Sequence, residues 1–120
     1  MAVVPSDLTS TLIARRRAAR AAHERRGAEL VARARVAATA YRAAGTLDGA
    51  WLVGSLAWGG FGTRSDVDIV VRGAPASGFG ALAATLSDAL GAEVDLMRIE
   101  ELPDAFRRRV LERGMRLDEP

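Results

Sequence analysis

The chain has 120 residues, 49% of them apolar and 27% charged, the proportions of one soluble globular domain rather than of a disordered tail. It contains no cysteine, no lysine and one histidine, His23, which excludes disulfides, thiolate zinc sites, multi-histidine metal centres, the Walker A loop and Schiff-base catalysis. The net charge of +2 conceals a division: residues 1–45 carry nine arginines against Asp7, Glu24 and Glu29, a net of +6, whereas residues 46–120 carry eight arginines against twelve acids, a net of −4. A basic arm is joined to an acidic body, and such asymmetry points to different partners for the two ends.

Ser6 or Asp7 can cap a helix that begins near Leu8, just after Pro5. From there to Ala44 alanine and arginine dominate, both strong helix formers, and Gly45 is placed as the stop. Leu30, Ala34, Ala37, Tyr41 and Ala44 recur at 4-3-4-3 spacing, widened by Val31 and Ala38, so the second half of this helix has a face to bury. Its first half offers Leu8, Leu12 and Ile13 and then alanine, arginine and His23, a solvated or partner-covered stretch with an idle histidine.

Ala50-Trp51-Leu52-Val53 reads as a short buried strand ending at Gly54-Ser55. Residues 59–65 form a glycine-rich loop, after which Asp66 to Val71 alternate as a strand does. Phe79, Leu82, Ala83, Leu86 and Leu90 mark an amphipathic helix closed by Gly91. Glu93 to Met97 reads as a third strand, and Pro103-Asp104 opens a last helix, carrying Phe106, Val110 and Leu111, that ends at Gly114. The expected fold is α/β: a small body of about 70 residues, marginal alone at that size, with the long N-terminal helix, a second subunit or a partner covering one sheet face. No run of 18 apolar residues occurs and Met1 to Pro5 is too short for a signal-peptide core, so the expected location is the cytoplasm.

The chemistry concentrates in the acids. In an extended strand Asp66 and Asp68 share a face, about 6.6–7 Å apart along the chain. Asp95 lies on another strand, with Glu93 as its substitute if the register slips. Should the strands be neighbours, three carboxylates converge, repel one another and call for a cation. With no lysine present, Mg²⁺ suits such a site, bound by a few carboxylates together with substrate phosphates. Gly54-Ser55, ending the first strand, offers backbone N–H groups and a hydroxyl to an anion. Phosphate on one side and carboxylate-held metal on the other is the equipment of two-metal phosphoryl or nucleotidyl transfer.

Gly54-Ser55, ten residues, then Asp66-Val67-Asp68 resembles the Gly-Ser…Asp-x-Asp pattern of the polymerase-β-like nucleotidyltransferases. The flanking runs Trp51 to Gly59 and Ser65 to Val71, the later Val94-Asp95-Leu96, Glu100-Glu101-Leu102 and Leu111-Glu112-Arg113-Gly114 resemble the minimal branch of that superfamily over roughly residues 50–117. The nearest familiar group is the MNT-type antitoxin that partners HEPN toxins. The resemblance implies a mixed sheet flanked by helices, here preceded by the Ala/Arg-rich helix, so that residues 1–45 form an arm and residues 46–120 the nucleotidyltransferase domain. It implies that Asp66, Asp68 and Asp95 hold two Mg²⁺ ions, that Asp95 also helps deprotonate the acceptor hydroxyl, and that Gly54, Ser55, Arg64 and Ser65 hold the nucleotide. It further implies transfer of AMP, or another nucleoside monophosphate, from ATP to a hydroxyl on a HEPN-type toxin.

The family pattern carries an arginine where this chain has Trp58, which leaves Arg64 to supply the charge. That departure keeps two other readings open: a binding module of the same fold that acts by contact, and a nucleotidyltransferase for small molecules. Gly59, Gly60 and Gly62 do not make a dinucleotide fingerprint, because Ser65 stands where the last glycine is required. Trp51 and Trp58 read as core residues, with Trp58 the better candidate for base stacking. For the arm, a solvated face comes first and a docking helix for a partner or second subunit next. Sequence-independent nucleic-acid binding through clustered arginine comes third.

Overall fold

The computed structural model describes residues 6–58 and 66–119, leaving aside the side chains of Ser6, Asp7 and Trp58. The elements run α1 (Ser6–Ala43), β1 (Gly49–Val53), α2 (Ser55–Trp58), β2 (Val67–Arg72), α3 (Phe79–Leu90), β3 (Val94–Arg98), a 3₁₀ turn (Ile99–Glu101), α4 (Asp104–Arg113) and β4 (Met115–Arg116). The strands form one mixed sheet in the order β3-β2-β1-β4. β1 is antiparallel to both β2 and β4, and β2 is parallel to β3. The α/β class expected from the sequence is the observed one, and β4 and the 3₁₀ turn are additions to the elements read from it.

Alternation divides the sheet residues between two cores. Ala50, Leu52, Val67, Ile69, Val71 and Val94 face α1 and α3, meeting Leu30, Ala34, Ala38, Leu86 and Leu90. Trp51, Val53 and Val70 face the other way and pack with Ile99 and Val110, joined by Met97, Leu102 and Phe106. Leu111, carried by α4 with Phe106 and Val110, is 52% exposed. It follows Val110 by one residue and so turns about 100° away from the sheet. His23 is half-buried rather than exposed, since it lies on the continuation of the core-facing stripe.

Helix α1 ends as its sequence requires. Gly45 takes φ +77, Thr46 N–H donates to the Tyr41 carbonyl (2.9 Å) and Gly45 N–H to that of Arg42 (3.0 Å), the paired bonds of a Schellman stop. The same end of α1 is tied to the chain's last residues through Asp118, whose side chain has no solvent exposure. Asp118 accepts from Arg42 Nη1 at 2.7 Å, from the Ala50 N–H at 2.9 Å, and from Arg116 through both carboxylate oxygens. Burial on its own would raise this carboxyl, but the hydrogen bonds from Arg116 and the Ala50 N–H outweigh it and bring it down from 3.8 to about 2.

The other anchor points fix the direction of α1. Arg33 donates to the Leu90 carbonyl (3.1 Å) and Arg26 to that of Gly91 (2.8 Å), satisfying orphan carbonyls at the negative end of α3. Gly91 leads into β3, whose Val94 pairs with Val67, while Val53 pairs with Asp68. Residue 26 of α1 therefore lies at the sheet end formed by the close of β1 and the starts of β2 and β3. Beyond it the helix continues for twenty residues, about 30 Å at 1.5 Å each, consistent with a molecule 70 Å long and 29 Å by 26 Å across.

Candidate active site

That same sheet end holds the acids. The register sets Asp68 opposite Val53 on one side and opposite Asp95 on the other. Adjacent strands are about 4.8 Å apart, so two carboxylates occupy neighbouring positions on one face, the face carrying Trp51, Val53 and Val70. Asp66 lies just before β2, two residues from Asp68 and on the same side by alternation. Asp66 and Asp95 are exposed and Asp68 is half-buried. Glu93, the substitute considered for Asp95, falls before β3 and is exposed; the register favours Asp95.

Burial raises the Asp68 carboxyl above its ordinary value, and the charges of Asp95 and then Asp66 raise it further. Among the described residues none of the three acids has a hydrogen-bond or ion-pair partner, and no arginine neutralises them. Nor, among those residues, is any set of three carboxylate or imidazole ligands already gathered around a point; the acids are arrayed along a face rather than closed on a centre. An oxygen-only donor set with uncompensated negative charge fits a hard divalent cation such as Mg²⁺. Asp66, Asp68 and Asp95 are the residues that would hold it.

Gly54 adopts φ +75, and a Cβ on it would fall onto the Asp68 carboxylate. The glycine between β1 and α2 is thus demanded twice, by a left-handed backbone and by the acid packed against it. The turn expected to offer its N–H groups to an anion thus has the Asp68 side chain as the close neighbour of Gly54. Ser55 opens α2 and is half-buried, while Leu56 and Ala57 pack onto the α1/α3 core and hold that turn in place. Arg64 and Ser65, expected at the nucleotide, and Gly59, Gly60 and Gly62 lie outside the described residues.

Trp51 is a core residue, as its place on β1 suggested. It is 4% exposed, with the guanidinium groups of Arg116 and Arg72 at 4.6 Å and 5.2 Å from the ring centroid. This stacking went unseen in the sequence, because it depends on which residues the register sets beside Trp51: Arg116 is its partner on β4, and Arg72 is the partner of Gly49, two residues away.

The polymerase β nucleotidyltransferase family model matches residues 40–119, and the chain belongs to that family. A search of curated proteins found no match. Among solved structures, one described as a minimal nucleotidyltransferase is 28% identical with a TM-score of 0.56, over 68% of this chain and 86% of that one. A toxin–antitoxin crystallised with AMP-PNP is 29% identical with a TM-score of 0.53, and a mutant MntA-HpeT toxin–antitoxin is 25% identical with a TM-score of 0.51. Each of the last two matches covers 60% of this chain and 60% of the other, so the chain spans less than two thirds of their length. Among the described residues no helix is long and apolar enough to cross a membrane.

Proposed function

We propose that this nucleotidyltransferase transfers AMP, or another nucleoside monophosphate, from the triphosphate to a hydroxyl on a partner protein, and that the partner is a HEPN-type toxin which the transfer silences. The observation that carries the reading is the pairing of Asp68 with Asp95 on adjacent parallel strands, beside the Gly54 turn. The likeness to toxin–antitoxin structures, one of them holding AMP-PNP, supports the choice of partner and nucleotide.

In this reading Asp66, Asp68 and Asp95 hold the divalent ions, Mg²⁺ in the cell, which when bound neutralise charge developing on the transferred phosphoryl group. Gly54 and Ser55 bind the triphosphate, and Arg64 and Ser65 complete its contacts. Asp95, exposed on β3, takes the proton from the acceptor hydroxyl. The acceptor oxygen then bonds to the α-phosphorus, the bond from that phosphorus to the β-phosphate bridging oxygen breaks, and pyrophosphate leaves.

The test is incubation of the chain with Mg²⁺, α-labelled ATP and the toxin encoded beside it. Label should move to the toxin, and Asp66→Ala/Asp68→Ala should abolish the transfer. Equal labelling by the double variant would refute the assignment.

A further inference from the structure

The structure separates the arginines of α1 into two groups that the sequence does not distinguish. Arg26, Arg33, Arg35 and Arg42 are consumed by the body, each donating to a carbonyl or to Asp118. Arg15, Arg16, Arg17, Arg20 and Arg25 are exposed, and among the described residues they have no hydrogen-bond or ion-pair partner. All five lie on the half of the helix that runs out past the sheet end, where the only acid from Leu8 to Arg25 is Glu24. We propose that this half of α1 seats in the major groove of duplex DNA.

Three features select that ligand. From Ala14 to Glu29 no apolar side chain is larger than alanine; the exposed Leu8, Leu12 and Ile13 lie beyond it toward the helix start, so the stretch that carries the five arginines lacks the aromatic and aliphatic anchors of a protein interface. Its binding capacity is electrostatic, and the matching ligand is a polyanion. Secondly, the arginines surround the helix. Taking Arg15 as reference, Arg16, Arg20, Arg17 and Arg25 fall about 100°, 140°, 200° and 280° round the axis. A helix laid on a flat surface uses cations on one side; one held between two phosphate walls uses them on both flanks and toward the groove floor. Thirdly, a helix about 10–12 Å across fits the B-form major groove, about 12 Å wide, whereas the A-form groove of duplex RNA is too narrow. The helix lacks asparagine and glutamine, the usual readers of adenine, so base contacts are confined to arginine on guanine and the affinity comes chiefly from backbone phosphates.

The experiment is fluorescence anisotropy of the full chain with a labelled DNA duplex of about 20 base pairs, the RNA duplex of the same sequence, and the DNA single strand. Binding to duplex DNA should weaken several hundredfold between about 50 and about 200 mM salt, a log–log slope near −4.5 for five phosphate contacts. Replacing Arg15, Arg16, Arg17, Arg20 and Arg25 together by Gln should weaken binding at low salt by at least about a hundredfold and flatten the slope. Unchanged far-ultraviolet circular dichroism establishes that the helix survives. Absence of binding at low salt, preference for the RNA duplex, or an undiminished slope in the quintuple variant would overturn the proposal. So would light scattering that finds a dimer of the native chain and a monomer of the variant, which would give the arm to a second copy.

Discussion

The Asp68 carboxylate occupies the space into which a side chain on Gly54 would grow. The turn that ends β1 and the acid on β2 are therefore a single packed unit, and neither can change without the other. Gly54→Ala should cost more than the about 1–3 kcal/mol of a strained left-handed residue, because the new methyl must also displace the carboxylate. Gly78 has the same φ of +75 with nothing within 4 Å of its would-be Cβ, so Gly78→Ala isolates the backbone cost. Urea denaturation should rank the Gly54 variant as the less stable of the two.

Removal of the buried Asp118 carboxylate should be among the most damaging single changes. Asp118→Ala leaves the Ala50 N–H without its acceptor and reduces Arg42 and Arg116 to their longer pairings with Glu119. A loss of about 3 kcal/mol or more is expected, read as a fall in the urea midpoint with the slope unchanged.

Acid should expose the same contact. The folded-state carboxyl of Asp118 sits at about 2, below its ordinary 3.8, so its stabilisation is complete above about pH 4 and drains away as pH falls toward about 2. The amount at stake is on the order of 2 kcal/mol. Denaturation curves of the native chain and of Asp118→Asn should therefore converge across that window; a stability gap that stays constant down to about pH 2 would contradict it.

Two leucines give a contrast in packing. Leu52 has no exposed surface and Leu111 is 52% exposed. Leu52→Ala should cost about 2–5 kcal/mol through the cavity it leaves, whereas Leu111→Ala should fall within about 0.5 kcal/mol of the native chain. Thermal or urea unfolding measures both.

If Asp95 takes the acceptor proton, Asp95→Asn should slow nucleotidyl transfer by roughly 10²–10⁴ while leaving the fold intact, because its side chain is exposed. Single-turnover labelling of the partner, alongside circular dichroism, separates the two effects.

The helices and the three longer strands were legible because their apolar spacing is regular and glycines close α1 and α3. β4 was not: two residues, Met115 and Arg116, carry no periodicity, and only their pairing with Trp51 and Leu52 makes them a strand. Asp118 was equally hidden, since Leu-Asp-Glu before the final proline reads as a solvated tail until Arg42 arrives from 76 residues away. At the candidate site, residue types and spacing singled out Asp66, Asp68 and Asp95. That Asp68 and Asp95 are neighbours on parallel strands is a property of register, which no local pattern encodes. The partition of the helix's arginines, bound from Arg26 onward, likewise emerges only once α3 supplies the Leu90 and Gly91 carbonyls and the residues after α4 supply the Arg116 carbonyl and Asp118.

Because α1 is one uninterrupted helix from Ser6 to Ala43, clamped at Asp118 and again at Gly91, its projecting half has no joint. Distance and rotation are then locked together: each residue inserted between Ala21 and Arg26 would carry everything beyond it about 1.5 Å outward and about 100° round the axis. The chain thus sets both how far from the acidic sheet end a bound object rests and which way it faces, as a screw thread does. A four-residue insertion nearly restores the phase while lengthening the reach by about 6 Å, and a two-residue insertion reverses the phase for about 3 Å.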